Sequence, residues 1–360
     1  ALSLSNYVEI PAERTVFKAL GSVVILLSVW LLFQTRKLSF QQLGVLGAVL
    51  SMIPFIMLAI SAFLWDFSAS LPLVLRALVG FSIFLFLINL NGWELLFLLR
   101  ALVVCGIAFS LIAILEMVLG LSSAEKIPVL NWRTSKSIIF EQNVFGIYVY
   151  LCILAQLALG VGRRKLLYIA VLIAGVLTSY YRTVYALLLV RGFTRFPVLA
   201  LFLVILGSIS SLSLELASQI IKADQFSSLT GRDTLWQIGL NVFYERPLLG
   251  LSELSIPSVS NEVLNRYPAY TTYHNVLIDL ASSGGVVAVL GYLTFALYCV
   301  SRAAGYDRIT VLFIYAPALF NTFIPFAPNM LGVLSGALLV VLCRFYKRPE
   351  SGSERPEGKY

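Results

Sequence analysis

The one histidine of this 360-residue chain, His274, closes a long polar stretch. It sits in Tyr273-His274-Asn275, immediately before an apolar run from Val276 to Val300. Imidazole is the side chain best able to take up and return a proton near neutral pH, so this place suits a general base. A hydrogen-bonded, inert interfacial histidine would fit the same position. Two arginines extend the chemistry. Arg182 follows Thr178-Ser179-Tyr180-Tyr181 in an otherwise apolar region, where a charge is costly and by default marks a functional site or a buried ion pair. The alternative is a cation that snorkels to the interface or neutralises a carboxylate such as Glu141. Arg232 falls in the first turn of a helix expected from Thr230-Gly231-Arg232-Asp233-Thr234-Leu235-Trp236. Free backbone N–H groups and the helix dipole favour an anion there, and the guanidinium fork matches phosphate oxygens. An ordinary surface arginine beside Asp233 fits the same letters.

The carboxylates near these residues are Glu141, Asp233, Glu245, Glu253 and Asp279. Their spacing predicts no metal site and asks for no cofactor. Asp279, one turn after Asn275, either orients His274 or pairs with an arginine. Cys105, Cys152, Cys299 and Cys343 all lie in apolar runs, without metal-ligand spacing and without the pattern of a disulfide framework. Tyr180, Tyr181, Tyr244, Tyr267, Tyr270 and Tyr273 crowd the polar connections. Interfacial belts use tyrosine anyway, and aromatic faces also stack on sugars.

These residues must be positioned by membrane helices. A chain that is 59% hydrophobic and 12% charged, with mean hydropathy +0.90, lies far from soluble usage, where about 25% is charged. The expected fold is all-α, a polytopic transmembrane bundle of about eleven spans forming one domain over 1–360. The spans lie near 16–33, 41–64, 71–90, 95–119, 138–159, 166–180, 183–192, 197–214, 276–300, 309–326 and 330–344. The seventh is too short to cross alone and reads as a continuation of the sixth. No cleavable signal is expected in the first 15 residues.

Basic clusters set the sides. Arg36-Lys37, Arg163-Arg164-Lys165, Arg191 with Arg195, Arg302 with Arg308, and Arg344 with Lys347-Arg348 fall on alternate connections, which the positive-inside rule puts in the cytoplasm with the polar tail 349–360. This topology accounts for most of the net charge of +8. The connection 120–137, with Lys126, Arg133 and Lys136, and the longest polar stretch, 215–275, are then external. Inside 215–275, Thr230 would cap a short helix with Asp233 three residues on. An apolar stripe of Leu235, Trp236, Gly239, Leu240 and Phe243 and a stop at Pro247 describe an amphipathic helix lying on the outer face. No internal repeat of the kind found in transporters is visible.

The segment Thr230-Gly231-Arg232 … Trp236 … Glu245-Arg246-Pro247-Leu248-Leu249-Gly250, followed by His274-Asn275-Val276-Leu277 … Gly284, resembles the bacterial O-antigen ligase and O-antigen polymerase family. Upstream, Glu141-Gln142-Asn143-Val144-Phe145-Gly146 looks like that family's Asn-x-x-Gly element, and Ser179-Tyr180-Tyr181-Arg182 like its Ser-Arg element with two tyrosines intervening. The likeness spans about 140–285.

The resemblance implies a metal-independent, inverting membrane glycosyltransferase of the bacterial inner membrane with its active site facing the periplasm. Its donor would be a glycan on undecaprenyl diphosphate. The acceptor would be a sugar hydroxyl of another lipid-linked repeat unit, in a polymerase, or of the lipid A core, in a ligase; the modest outer loop leans towards a polymerase. Carried onto this chain, Arg182 and Arg232 would hold the diphosphate and His274 would activate the acceptor hydroxyl. Asn275, Asp279 and Glu141 would support the site, and Arg133, Lys136 and Arg266 would help gather the anionic donor. No nucleic-acid partner is expected. The competing readings are a transporter or flippase of lipid-linked sugars, which would carry polar residues at mid-depth and repeat symmetry, and a non-catalytic scaffold of an envelope-polysaccharide complex.

Overall fold

The computed structural model describes residues 44–65, 67–119, 126–127, 132–133, 142–159, 165–179, 182–195, 232–251, 273–319, 324–327 and 329–344. The expected spans 16–33 and 197–214, the Thr230 cap, the tail 349–360, and Lys136, Glu141 and Arg266 lie outside these residues. So do the side chains of Arg133, Arg182, Arg232 and Asp233.

The described chain is helical apart from one pair of two-residue strands. In order it runs α1 (Gly44–Trp65), α2 (Phe67–Asn89), α3 (Gly92–Val118), β1 (Lys126–Ile127), β2 (Trp132–Arg133), α4 (Gln142–Leu159), α5 (Lys165–Ser179), α6 (Arg182–Arg195), α7 (Arg232–Glu245), α8 (Val276–Arg302), α9 (Tyr306–Tyr315), a 3₁₀ turn (Ala316–Leu319) and α10 (Met330–Arg344). The strands pair antiparallel with Lys126 opposite Arg133. Segments within α1, α3 and α8 (Leu46–Leu64, Gly92–Val118, Val276–Arg302) are long and apolar enough to cross a membrane, and α2, α4, α5, α6 and α10 contain shorter apolar stretches.

Small residues let these helices approach closely, as expected where apolar surroundings leave van der Waals contact as the main attraction. Gly284 of α8 lies on Leu58 of α1, and Gly291 on Ile53 and Pro54, so the two helices run antiparallel. Gly106 of α3 meets Cys152 and Leu172, and Gly175 of α5 meets Ser110, which makes α3 and α5 parallel. The buried tyrosines of α4 satisfy their hydroxyls on backbone: Tyr148 donates to the Leu102 carbonyl at 2.8 Å and Tyr150 to that of Phe313 at 3.1 Å.

Three expectations change. The span 309–326 is not one helix: α9 ends at Tyr315 and passes into the 3₁₀ turn, in which Pro317 cannot supply an N–H to a continuing helix. A buried Phe326 with φ 66° then turns the chain, packed edge-on against Phe84 at 5.1 Å. Arg191 is not part of a loop cluster but a buried residue of α6, 5% exposed. The buried face of α7 comprises Leu235, Ile238, Gly239 and Val242, while Leu240 is exposed, so the stripe is rotated from the expected one.

Candidate functional site around His274

His274 occupies a single-residue turn at the mouth of α8, with φ 53°. The left-handed region is uncommon for a residue with a Cβ, though histidine tolerates it better than most, and such strain lasts only where neighbours hold it. They do so on both sides. The Tyr273 N–H donates to Asp279 Oδ1 at 2.9 Å, and the Tyr273 carbonyl accepts the Trp236 indole N–H at 2.9 Å. On the other side Asn275 is the N-cap of α8; its Oδ1 accepts the Leu277 N–H at 2.9 Å and, more weakly, that of Ile278 at 3.4 Å. This cap satisfies helix donors that otherwise lack partners. Asp279 in the first turn also suits the positive end of the helix. His274 itself is half-buried, with Nδ1 shielded from solvent.

Asp279 accepts the Tyr273 N–H. It holds the peptide before His274. Tyr273 is buried against Leu235 and Ile238 of α7. Burial, with the Asp279 carboxylate adding to it, pushes the Tyr273 phenol up to about 12.

Helix α7 brings position 232 to this turn. Leu235 and Trp236 meet Tyr273, and Gly239 lies against Ile278 and the Tyr273 ring. Farther on, the Pro247–Leu251 segment meets α8 at Ser282–Val286. Successive parts of α7 and of the segment after it thus meet successive parts of the Tyr273–Val286 stretch. Position 232 is one turn before Trp236 and shares its face by helical register.

The lower contact is an interlock of two backbones. Gly285 has φ 71° and breaks α8. Groups freed by the break find partners outside the helix: Leu251 N–H donates to the Ser282 carbonyl at 2.7 Å, and Val286 N–H to the Pro247 carbonyl at 2.7 Å. Gly250, with φ 67°, faces the Ser282–Gly284 backbone so closely that a Cβ would overlap it. A Cβ on Gly285 would overlap the Leu248 carbonyl in turn. Only glycine meets both demands, conformational and steric. Sequence reasoning noted Gly250 as a motif letter, did not single out Gly285, and missed their pairing.

Arg182 begins α6. The foot of that helix is tied by Arg191 to Thr310 of α9, and α9 follows the end of α8 through residues 303–305. Hence α6 and α8 end on one side of the bundle and run in the same direction. By register 182 stands with exposed Ala186 and Leu189, not with buried Val184 and Arg191. The structure thus brings together His274, Asn275 and Asp279; position 232 is linked to them through Trp236, one turn later on α7, and neither 232 nor 182 has a described contact to His274. Arg133, in β2, has no described contact to this turn. Among the described residues, no three His, Cys, Asp or Glu side chains are grouped to hold a metal ion.

The segment that builds this arrangement, from α4 to the middle of α8, is also the segment that a family model described as O-Antigen ligase matches. The match runs over residues 144–293. It includes Arg182, Arg232, Arg266, His274, Asn275 and Asp279; Arg133, Lys136 and Glu141 precede it. No curated protein and no solved structure gives a significant match to the chain. The O-antigen ligase domain and the membrane-length helices together support a membrane protein of surface-polysaccharide assembly, of glycosyltransferase type.

Proposed function

We propose that this protein is an inverting glycosyltransferase that moves a glycan from undecaprenyl diphosphate to a sugar hydroxyl at the periplasmic face of the inner membrane. In this reading the acceptor hydroxyl gives its proton to His274 as its oxygen attacks the anomeric carbon. The bond from that carbon to the phosphate oxygen breaks, and undecaprenyl diphosphate leaves with the electron pair. Charge then gathers on phosphate oxygens, where fixed cations stabilise the transition state most directly. Arg232 and Arg182 take that role.

The observation that supports the reading best is the Trp236–Tyr273 bond at 2.9 Å. It ties the helix that begins at Arg232 to the strained turn that presents His274. The exposed register of position 182 suits a donor that arrives from the lipid, because a snorkelling arginine there meets diphosphate at the headgroup level. Asn275 and Asp279 hold the histidine's backbone in this scheme; Glu141, Arg133, Lys136 and Arg266 are carried as supporting positions from the resemblance alone.

The test uses purified full-length protein, an undecaprenyl-diphosphate-linked glycan and two acceptors, a lipid-linked repeat unit and lipid A core. New glycosidic product is expected with chelator present. His274→Ala should abolish turnover and keep donor binding, while Arg182→Ala and Arg232→Ala should weaken donor handling. The acceptor that yields product separates polymerase from ligase. Full activity of both arginine variants would remove the diphosphate clamp, and lipid moved between leaflets with no new bond would replace the transferase by a flippase.

A further inference from the structure

Arg191 is a cation inside the helix bundle, bonded to a residue 119 positions away. Its Nη2 donates to the Thr310 hydroxyl at 2.6 Å, its guanidinium lies 5.4 Å from the Phe313 ring centre, and both Arg191 and Thr310 are buried. Tyr150 of α4 is anchored to the same stretch of α9 through the Phe313 carbonyl. Asp307 in the first turn of α9 feels the same charge: burial raises its carboxyl above the ordinary range and Arg191 opposes that rise. A buried guanidinium costs several kcal/mol unless well paired, and it adds little to packing that a Leu or Met would not supply. Its placement on α6 gives it a use. That helix, at 14 residues, is about 20 Å long, too short to be held by spanning a bilayer of about 30 Å. Two residues join its start to α5, and side-chain contacts must set the rest of its height and rotation.

We propose that Arg191 is a positioning residue: its clamp on Thr310 and Phe313 fixes the height and rotation of α6, and thereby the place of Arg182 nine positions earlier on the same rigid helix. This rests on the assignment of Arg182 to the donor diphosphate, but the clamp itself can be tested without it.

Two measurements decide the matter. First, spin labels on Thr183→Cys and Gln237→Cys, with Cys105→Ser, report the distance between the heads of α6 and α7 in the full chain in lipid nanodiscs. Thr310→Val, which keeps shape and loses the hydroxyl, and Arg191→Met should shift or broaden that distance distribution, and Thr310→Ser should restore it. An unchanged distribution in both Thr310→Val and Arg191→Met overturns the clamp, whatever the enzyme does. Second, Thr310→Val should raise the donor KM about tenfold with Arg182 present and leave it unchanged in the Arg182→Ala background, the non-additivity expected of coupled groups. An equal rise in both backgrounds overturns the route through Arg182. A wild-type protein without transferase activity refutes the proposed function and leaves the distance measurement to decide the clamp.

Discussion

The indole N–H of Trp236 and the carbonyl of Tyr273 meet at 2.9 Å, and this bond joins two elements that 36 intervening residues separate in the chain. It holds the peptide plane next to His274 from outside the turn. Trp236→Phe keeps the ring's bulk and deletes the donor. The expected result is a stably folded protein whose kcat falls by about tenfold to about a hundredfold, the loss that small misplacements of reacting groups produce. Donor KM should change little; steady-state kinetics with varied donor measures both.

Asp279 tests whether charge or hydrogen bonding matters on the other side of the turn. Asp279→Asn retains an oxygen to accept the Tyr273 N–H, whereas Asp279→Ala leaves that N–H without its partner, at about 1–3 kcal/mol. Asn should preserve most of the turnover and Ala should lose it. Equal loss in both variants would show that the negative charge itself is required.

The phenol of Tyr273 stays protonated through neutral pH, since burial pushes it up to about 12. Tyr273→Phe should therefore leave the pH dependence of kcat unchanged between about pH 6 and about pH 9. For stability the sign is the opposite of a carboxylate's. The folded value lies above the ordinary phenol value of about 10, so the contribution is complete below that value and is lost as pH climbs towards about 12. Alkaline unfolding of the Phe variant should lack this component.

Glycines of α6 and α8 should respond in opposite ways to the same added methyl group. Gly285→Ala combines φ 71° with overlap of the Leu248 carbonyl, and the backbone conformation alone costs about 1–3 kcal/mol. At Gly192 in α6 an added Cβ meets nothing within 4 Å among the described residues, and Ala there should be neutral or stabilising by about 1 kcal/mol, as for other helix interiors. Thermal unfolding in detergent, read by near-UV dichroism, distinguishes them. Similar behaviour of the two variants would mean that the interlock is not closed in solution.

Hydropathy revealed most of the described helices, because a run that must bury its backbone polar groups in hydrocarbon has little choice but helix. The start and stop signals around Arg232 and Pro247 bounded α7 to within two residues of Arg232–Glu245. Its orientation was not legible. Ile238, Leu240 and Val242 are all apolar, so periodicity allowed two faces, and Tyr273 with Ile278 decided between them through the close approach at Gly239. Arg191 was hidden for a similar reason: a basic residue near a helix end reads as a loop marker until Thr310, 119 positions away, is seen beside it. The break at Gly285 depends on Pro247 and Leu251, and no local pattern in α8 announces partners so distant. The His274 turn was found through the residue type alone; its φ of 53° came from Asp279 and Trp236.

Leu251 is bonded to Ser282, and Tyr273 to Asp279, so the two ends of the intervening stretch are pinned less than one helical turn apart on a single scaffold. Closing such a loop costs little more for a long insert than for a short one. Whatever letters fill 252–272 can be rewritten, lengthened or exchanged between relatives while the frame bearing the histidine stays put. Insertion or deletion there should leave the His274 turn and the Gly250–Gly285 interlock intact.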